Sequence, residues 1–311
     1  MGPFIAIVAS ALTFLAFWVQ YQANIQQRSQ YEQSLQKQKE DLENERKTWK
    51  VERFENRFYE LLRLHRENVA EMNIADKITG RKCFVHMFYE FKYCYLMVTD
   101  VWRQADADIE ENYRYSQINP LDIAYRIFFY GLGFHSEKHF VSTMTVGELH
   151  LFRAVIPNLK TLQDAYTKFE EAETQKQYLT YGITLSGLSD DRSIDLYYHP
   201  YDGHVNRLGH YYRHLFQTAN YVTDQNFLEE EEKYSYLKTL RAQLSNFEQL
   251  MLYYNALAWF DVEWKALFTT YRFIKNLPVP LADFHVRPEV HFQKEIAELA
   301  SRGKAMFEYH E

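Results

Sequence analysis

The chain has 311 residues, 47% of them hydrophobic, and a formal net charge of −7. That composition is too apolar for a disordered chain and suffices for one large folded body or two smaller ones. The negative balance, with no long basic run, excludes a broad electrostatic grip on nucleic acid, and leaves room only for a small local basic site.

Aromatic residues make up 17%, mostly Tyr and Phe, whereas Gly and Pro number only 10 and 7. So few breakers, and no regular series of short alternating segments, predict a mainly α fold. Two cysteines, Cys83 and Cys94, make neither a disulfide framework nor a zinc-ribbon spacing, so reduced cytosolic thiols are expected.

From Met1 to Tyr21 no side chain is charged. About 20 apolar residues at 1.5 Å rise cross a hydrocarbon layer of about 30 Å. A cleaved signal peptide would carry a basic start, which is missing here, and Trp18 and Tyr21 lie where interfacial aromatics lie. Residues 1–21 are therefore expected to be a single uncleaved transmembrane anchor. Arg28, Lys37, Lys39, Arg46 and Lys47 follow it and no basic residue precedes it. The positive-inside rule then puts the C-terminal body in the cytoplasm. No second span is expected, because Gln249–Phe260 is apolar but too short.

Residues 22–56 are rich in Gln, Glu, Lys and Arg and contain no Gly or Pro, which predicts a solvated helical stalk. Leu35, Leu42 and Trp49 recur every seventh position, but the second seam position holds Gln38, Glu45 and Glu52. This is half of a coiled coil and a possible route to a homo-oligomer.

Residues 57–311 are expected to form a multi-helix cytoplasmic domain. Phe54, Phe58, Leu61, Leu62 and His65 recur at helical spacing and mark an amphipathic helix entering a core. Gly80–Trp102 reads as a heavily buried helix. Pro120 opens another, which Gly131 and Gly133 end. Glu148–Pro157 and Leu159–Leu179 read as two helices, and Thr180–Ser193 as a connection with room for a short strand. His204–Val222 and Tyr234–Phe260 follow, with Glu229–Glu232 between them as a solvated turn and helix start. A last helix is expected over Glu289–His310. No internal repeat is visible.

On a helical wheel, Tyr211, Tyr212, Leu215, Phe216, Ala219 and Val222 share one side of His204–Val222. His210, Arg213, His214, Gln217 and Asn220 share the other. On Leu240–Phe260, read as one helix, Arg241, Ser245, Glu248 and Asn255 fall close to one line among apolar neighbours. A thin polar line on an otherwise apolar helix needs buried partners. The wheel thus predicts that the two stripes face each other, with Arg213 or Arg241 paired to Glu248 and a His nearby. Such a pairing suits either a functional pocket or a structural network.

Two His-x-x-x-His pairs occur, His135–His139 and His210–His214. The first lacks the Glu of the zinc-protease helix. The second would need a third ligand such as His199, Asp202 or His204, so no metal is assigned. Helical ribonucleases pair Arg with a His a few residues on, as Arg207–His214 does, but Arg81–His86 and Arg192–His199 fit equally. In that reading His is general acid or base and Arg stabilises the phosphorane charge. No phosphate loop, nucleophile elbow or kinase set is present, and no cofactor is expected.

Three stretches, Phe58–Val69, Leu208–Val222 and Leu240–Ala258, resemble in that order the phage abortive infection protein family of bacteria. The phrase Leu-Arg-Ala-Gln-Leu-Ser at Leu240–Ser245 is the specific part. The resemblance spans Phe58 to about Ala258, and Ala75–Tyr201 carries little of it. It implies an antiphage effector and no assigned biochemical activity. The motif residues it carries over are His65, Glu67, Gly209, His210, Tyr212, Arg213, Arg241, Gln243, Ser245, Glu248 and Asn255.

Together these readings assign His210, Arg213, His214, Arg241 and Glu248 as candidate catalytic residues, and His65, Glu67, Gln243, Ser245 and Asn255 as candidate binding residues. The leading expectation is a membrane-anchored abortive infection effector or sensor that recognises a phage component or a host protein. The alternatives are a membrane-tethered RNA- or nucleotide-directed enzyme on the same residues, and an inner-membrane scaffold unrelated to phage.

Overall fold

The computed structural model describes residues 2–106, 118–172, 175–183 and 192–308. Helix α1 covers Gly2–Ala70. The chain divides into two compact units, Met1–Glu60 and Leu61–Glu311.

In the first unit, the apolar start of α1 is long and apolar enough to cross a membrane, and none of that window is buried. Between Gln22 and Lys50 the residues are exposed, including Leu35, Leu42 and Trp49. Helix composition without breakers explains why the whole stretch is helical.

The second unit is mainly α. After α1 come a two-residue hairpin, β1 (Asn73–Ile74) and β2 (Ile78–Thr79), and helix α2 (Lys82–Asp106). Helices α3 (Pro120–Tyr130), α4 (Phe134–Thr143) and α5 (Val146–Glu171) follow. Strands β3 (Leu179–Ile183) and β4 (Arg192–Leu196) pair antiparallel, with Leu179 opposite Leu196 and Tyr181 opposite Ile194. Then come α6 (Val205–Thr223), α7 (Glu230–Arg241) and α8 (Asn246–Asn255), a π-helical segment (Ala256–Phe260), and α9 (Asp261–Thr269). A 3₁₀ turn (Val279–Leu281) and two short helices, α10 (Pro288–His291) and α11 (Gln293–Ala300), close the order.

Helix α2 is the centre of this unit. It packs on α3, α5 and α8. Phe84, Phe88, Phe91, Cys94 and Val98 on it are fully buried, at spacings that put them on one side of a helix. Burying each Phe contributes about 2 kcal/mol, which is how a helix of ordinary propensity is held in place. Cys83 and Cys94 are both buried and free.

Several boundaries differ from the sequence reading. Val146–Glu171 is one helix that runs through Pro157. Leu151, Phe152 and Val155 before the proline and Leu159, Leu162 and Tyr166 after it are all buried. That continuous apolar face outweighs the lost backbone donor. The helix starts at a reciprocal cap between Thr145 and Glu148.

The expected Tyr234–Phe260 helix is two helices. Helix α7 starts inside the Glu229–Glu232 run, where Glu229 and Glu232 form the cap, and it stops at Arg241. A new cap at Ser245 starts α8. The expected Glu289–His310 helix is likewise broken into α10 and α11, and Met306 and Phe307 are buried beyond them outside any helix. His135 lies within α4, whose cap position is Gly133; its side chain lies outside the described residues, as does most of the Thr180–Ser193 connection.

A close crossing orients α6. Gly131 ends α3 with φ 81° and Gly203 precedes α6 with φ 89°. A Cβ on Gly131 would meet the Asp202 carbonyl carbon at 2.6 Å, and one on Gly203 would meet that of Tyr130 at 2.6 Å. The Leu132 N–H donates to the Tyr201 carbonyl at 3.0 Å and the His204 N–H to the Phe129 carbonyl at 2.8 Å. Two glycines are required here because the backbones touch.

Candidate functional site

The start of α8 carries the centre of the site. The Ser245 hydroxyl accepts the Glu248 N–H at 3.3 Å, and the Glu248 carboxylate accepts the Ser245 N–H through Oε2 at 2.7 Å. This reciprocal cap satisfies two backbone donors and aims the Glu248 side chain inward. Glu248 is fully buried.

Three other elements converge on its carboxylate. From α6, the Tyr211 hydroxyl donates to Oε1 at 3.1 Å. From α1, His65 Nε2 stands 3.9 Å from Oε1. From the turn before α2, Arg81 Nε stands 3.6 Å from Oε2, and its Nη2 donates to the Gln243 carbonyl at 2.6 Å. The His65 ring lies against Tyr211 at 5.4 Å and is stacked on His214 at 6.1 Å.

Burial sets the charges. His65 is 1% exposed and neither ring nitrogen has a hydrogen-bond partner. Its pKa is lowered to about 4, by burial first and then by His214 and Arg81. It is therefore neutral near pH 7. The Tyr211 phenol is pushed well up, by burial and then by the Glu248 charge. A buried carboxylate needs a donor set of this kind, because an uncompensated charge in the interior is costly.

The remaining assigned residues scatter. The α6 stripe splits: His210, Arg213 and Gln217 are exposed, whereas His214 is half-buried and stacks on His65. Tyr211, from the side of α6 read as apolar, is what reaches Glu248. Of the α6 stripe only His214 approaches Glu248, through its stack on His65, and Arg81, rather than Arg213 or Arg241, is the arginine beside Glu248. Arg241 ends α7, is 5% exposed and donates to the Arg272 carbonyl at 2.8 Å. The single wheel over Leu240–Phe260 failed because the chain turns between Arg241 and Ser245.

Glu67 is exposed and bonds Arg63 one turn back on α1. Gln243 contributes its backbone carbonyl. Asn255 is buried and donates from Nδ2 to the Tyr125 hydroxyl at 2.8 Å. Tyr212 is buried and donates to the Met251 carbonyl at 3.1 Å. Among the described residues no group of three His, Cys, Asp or Glu is placed to hold a metal ion.

A second buried carboxylate, Glu90 on α2, was not assigned from sequence. Its Oε1 accepts the Tyr201 N–H at 2.7 Å, and its Oε2 stands 3.0 Å from His204 Nε2 and accepts the Tyr198 hydroxyl. Burial pushes this carboxyl up, but the His204 charge and these hydrogen bonds outweigh it, and the net shift is down. Arg207 braces the far side, with Nη1 3.3 Å from His204 Nδ1 and Nε donating to the Asn73 carbonyl at 2.6 Å. In the sequence Glu90 stands inside an aromatic helix with His86 one turn before it, and nothing there points to Tyr198, Tyr201 or His204.

No curated protein and no solved structure matches the chain. Residues 203–281, which hold Leu208–Val222 and Leu240–Ala258 but not Phe58–Val69, match the family model described as "Putative phage abortive infection protein".

Proposed function

We propose that this chain is a membrane-anchored abortive infection protein, an effector or sensor of phage infection. The match over residues 203–281 carries this reading. That segment contains Tyr211, Ser245 and Glu248, three members of the buried centre. The apolar start of α1 supports anchoring. The basic residues after it, from Arg28 to Lys47, support a cytoplasmic body at the bacterial inner membrane. Exposed Leu35, Leu42 and Trp49 support self-association along the stalk.

The buried centre favours architecture over chemistry. Glu248 and His65 are shut away from solvent, and His65 is neutral near pH 7, so it is no general acid there. A phosphodiester would not reach either group. On this reading the Glu248 centre fixes how α1, α6 and α8 pack, and recognition falls to the exposed face of α6 at His210, Arg213 and Gln217. That face also supports the second reading, an RNA- or nucleotide-directed enzyme. His210 and Arg213 lie three residues apart on one exposed face and combine a proton-transfer group with an anion stabiliser.

Phage plating and total RNA integrity, measured for wild type, His210→Ala and Arg213→Ala, separate the readings. Protection lost in both folded variants with RNA intact throughout infection supports recognition. RNA cleavage by wild type that the variants lack supports the enzyme. Absence of any phage phenotype would leave the scaffold.

A further inference from the structure

A cleft between α2 and β4 lies apart from the Glu248 centre. It encloses about 290 Å³. His86, Tyr89, Glu90 and Tyr93 of α2 form one wall, at three- and four-residue spacings that put them on one helical face. The other wall is β4 and the turn after it, with Asp195, Tyr197 and Tyr198. Two ties hold the walls together: the Tyr93 hydroxyl donates to the Ser193 carbonyl, and the Tyr198 hydroxyl to Glu90. The His86 and Tyr197 rings meet edge-on, 4.7 Å apart. Pinned aromatic walls of this kind give up little freedom when a ligand enters.

Among the described lining residues, the carboxylates are Glu90 and Asp195, and none is Lys or Arg. Burial, and then Lys82, hold the His86 pKa below its ordinary value, so near pH 7 this ring adds no positive charge. Glu90 is engaged by Tyr198, Tyr201 and His204. Asp195 is exposed, and its Oδ1 accepts the Thr180 hydroxyl at 2.7 Å. Its Oδ2 retains acceptor capacity.

We propose that this cleft binds a small organic cation, an ammonium or guanidinium compound, with Asp195 as its counter-ion and the rings of Tyr89, Tyr93 and Tyr197 against its body. Aromatic faces attract cations through their quadrupole, and a carboxylate at the rim adds a direct pair. A phosphate-bearing ligand would meet the Asp195 carboxylate with no Lys or Arg among the described lining residues to offset it. The volume is near the lower end of the range for small-molecule sites. The inference stands independently of any role in phage defence.

Full-length protein in maltoside micelles is titrated calorimetrically with agmatine, benzyltrimethylammonium and adenosine monophosphate. The expected result is saturable binding of at least one of the two cations, with Kd of about 1 mM or tighter, and none of the nucleotide. Asp195→Asn and Tyr197→Leu each weaken that binding about tenfold. Thermal melts confirm that the variants are folded; should either fail to fold, Tyr89→Leu, on a residue 40% exposed, gives the same readout. Absence of saturable binding by both cations, cation binding unchanged in folded variants, or tighter binding of the nucleotide would each overturn the proposal.

Discussion

His65 and Glu248 stand 3.9 Å apart, both buried, with the histidine held neutral beside the carboxylate. Protonating His65 is penalised in the folded chain and free in the unfolded one. Its folded pKa of about 4 lies below the ordinary 6.5. Between those values the unfolded state binds more protons, so stability falls as pH falls through this window and is fully present above it. The size for this one group is roughly 3 kcal/mol. Burial shifts His86 and His285 in the same sense, and the lowered Glu90 pKa also removes stability on acidification. The diagnostic is therefore a difference: melting of His65→Phe in micelles should lose less stability between pH 6.5 and 4 than wild type. An unchanged slope would refute the neutral, buried state of His65.

The Ser245–Glu248 cap makes a coupling prediction. Ser245→Ala should cost about 1 kcal/mol, the usual cost of losing an N-cap. Glu248→Ala should cost roughly 3 kcal/mol, because it also strands the buried Tyr211 hydroxyl. The double variant should fall short of the sum by about 0.5–1 kcal/mol, as expected for two residues that share a bond. Denaturant melts of the four proteins measure it, and strict additivity would contradict the reciprocal cap.

Gly203→Ala should be among the most damaging small substitutions in the chain. The added Cβ would sit 2.6 Å from the Tyr130 carbonyl carbon, at a residue with φ 89°. A loss of more than about 2 kcal/mol, or no folded yield, is expected. Gly133→Ala is the control. It has φ −71° and nothing within 4 Å of an added Cβ. Its melting temperature should stay close to wild type.

His210→Ala and Arg213→Ala should leave stability within about 0.5 kcal/mol, because both side chains are exposed. Glu248→Ala should lower stability and phage protection together. Loss of protection in the two surface variants at unchanged melting temperature would place recognition on the outer face of α6. Retention in both would remove that face from consideration.

Local signals determined much of this protein. The uncharged stretch from Met1 to Tyr21 and the breaker-free segment after it read as helix by composition, and they are helix. Gly131, Pro120 and the Glu229–Glu232 run marked helix ends correctly, because caps and breakers act over a few residues. The likeness to abortive infection proteins was legible in Leu208–Val222 and Leu240–Ala258, and the family match covers both.

Tertiary structure decided the rest. Pro157 did not end its helix, because the apolar face on both sides of it is buried as one surface. The Arg241–Asn255 stripe was an artefact of a single wheel; the turn before Ser245 gave Glu248 a different direction from Arg241. The wheel also placed His210 and Arg213 in a buried seam, whereas they face outward. The partners that Glu248 does have, His65, Arg81 and Tyr211, come from three elements far apart in sequence. The partners of Glu90, Tyr198, Tyr201 and His204, lie in one segment 108 to 114 residues after it. Hydrophobic periodicity reports which face of one helix is buried, but the partner of a buried charge is set by how separate elements pack, and no local pattern carries that information.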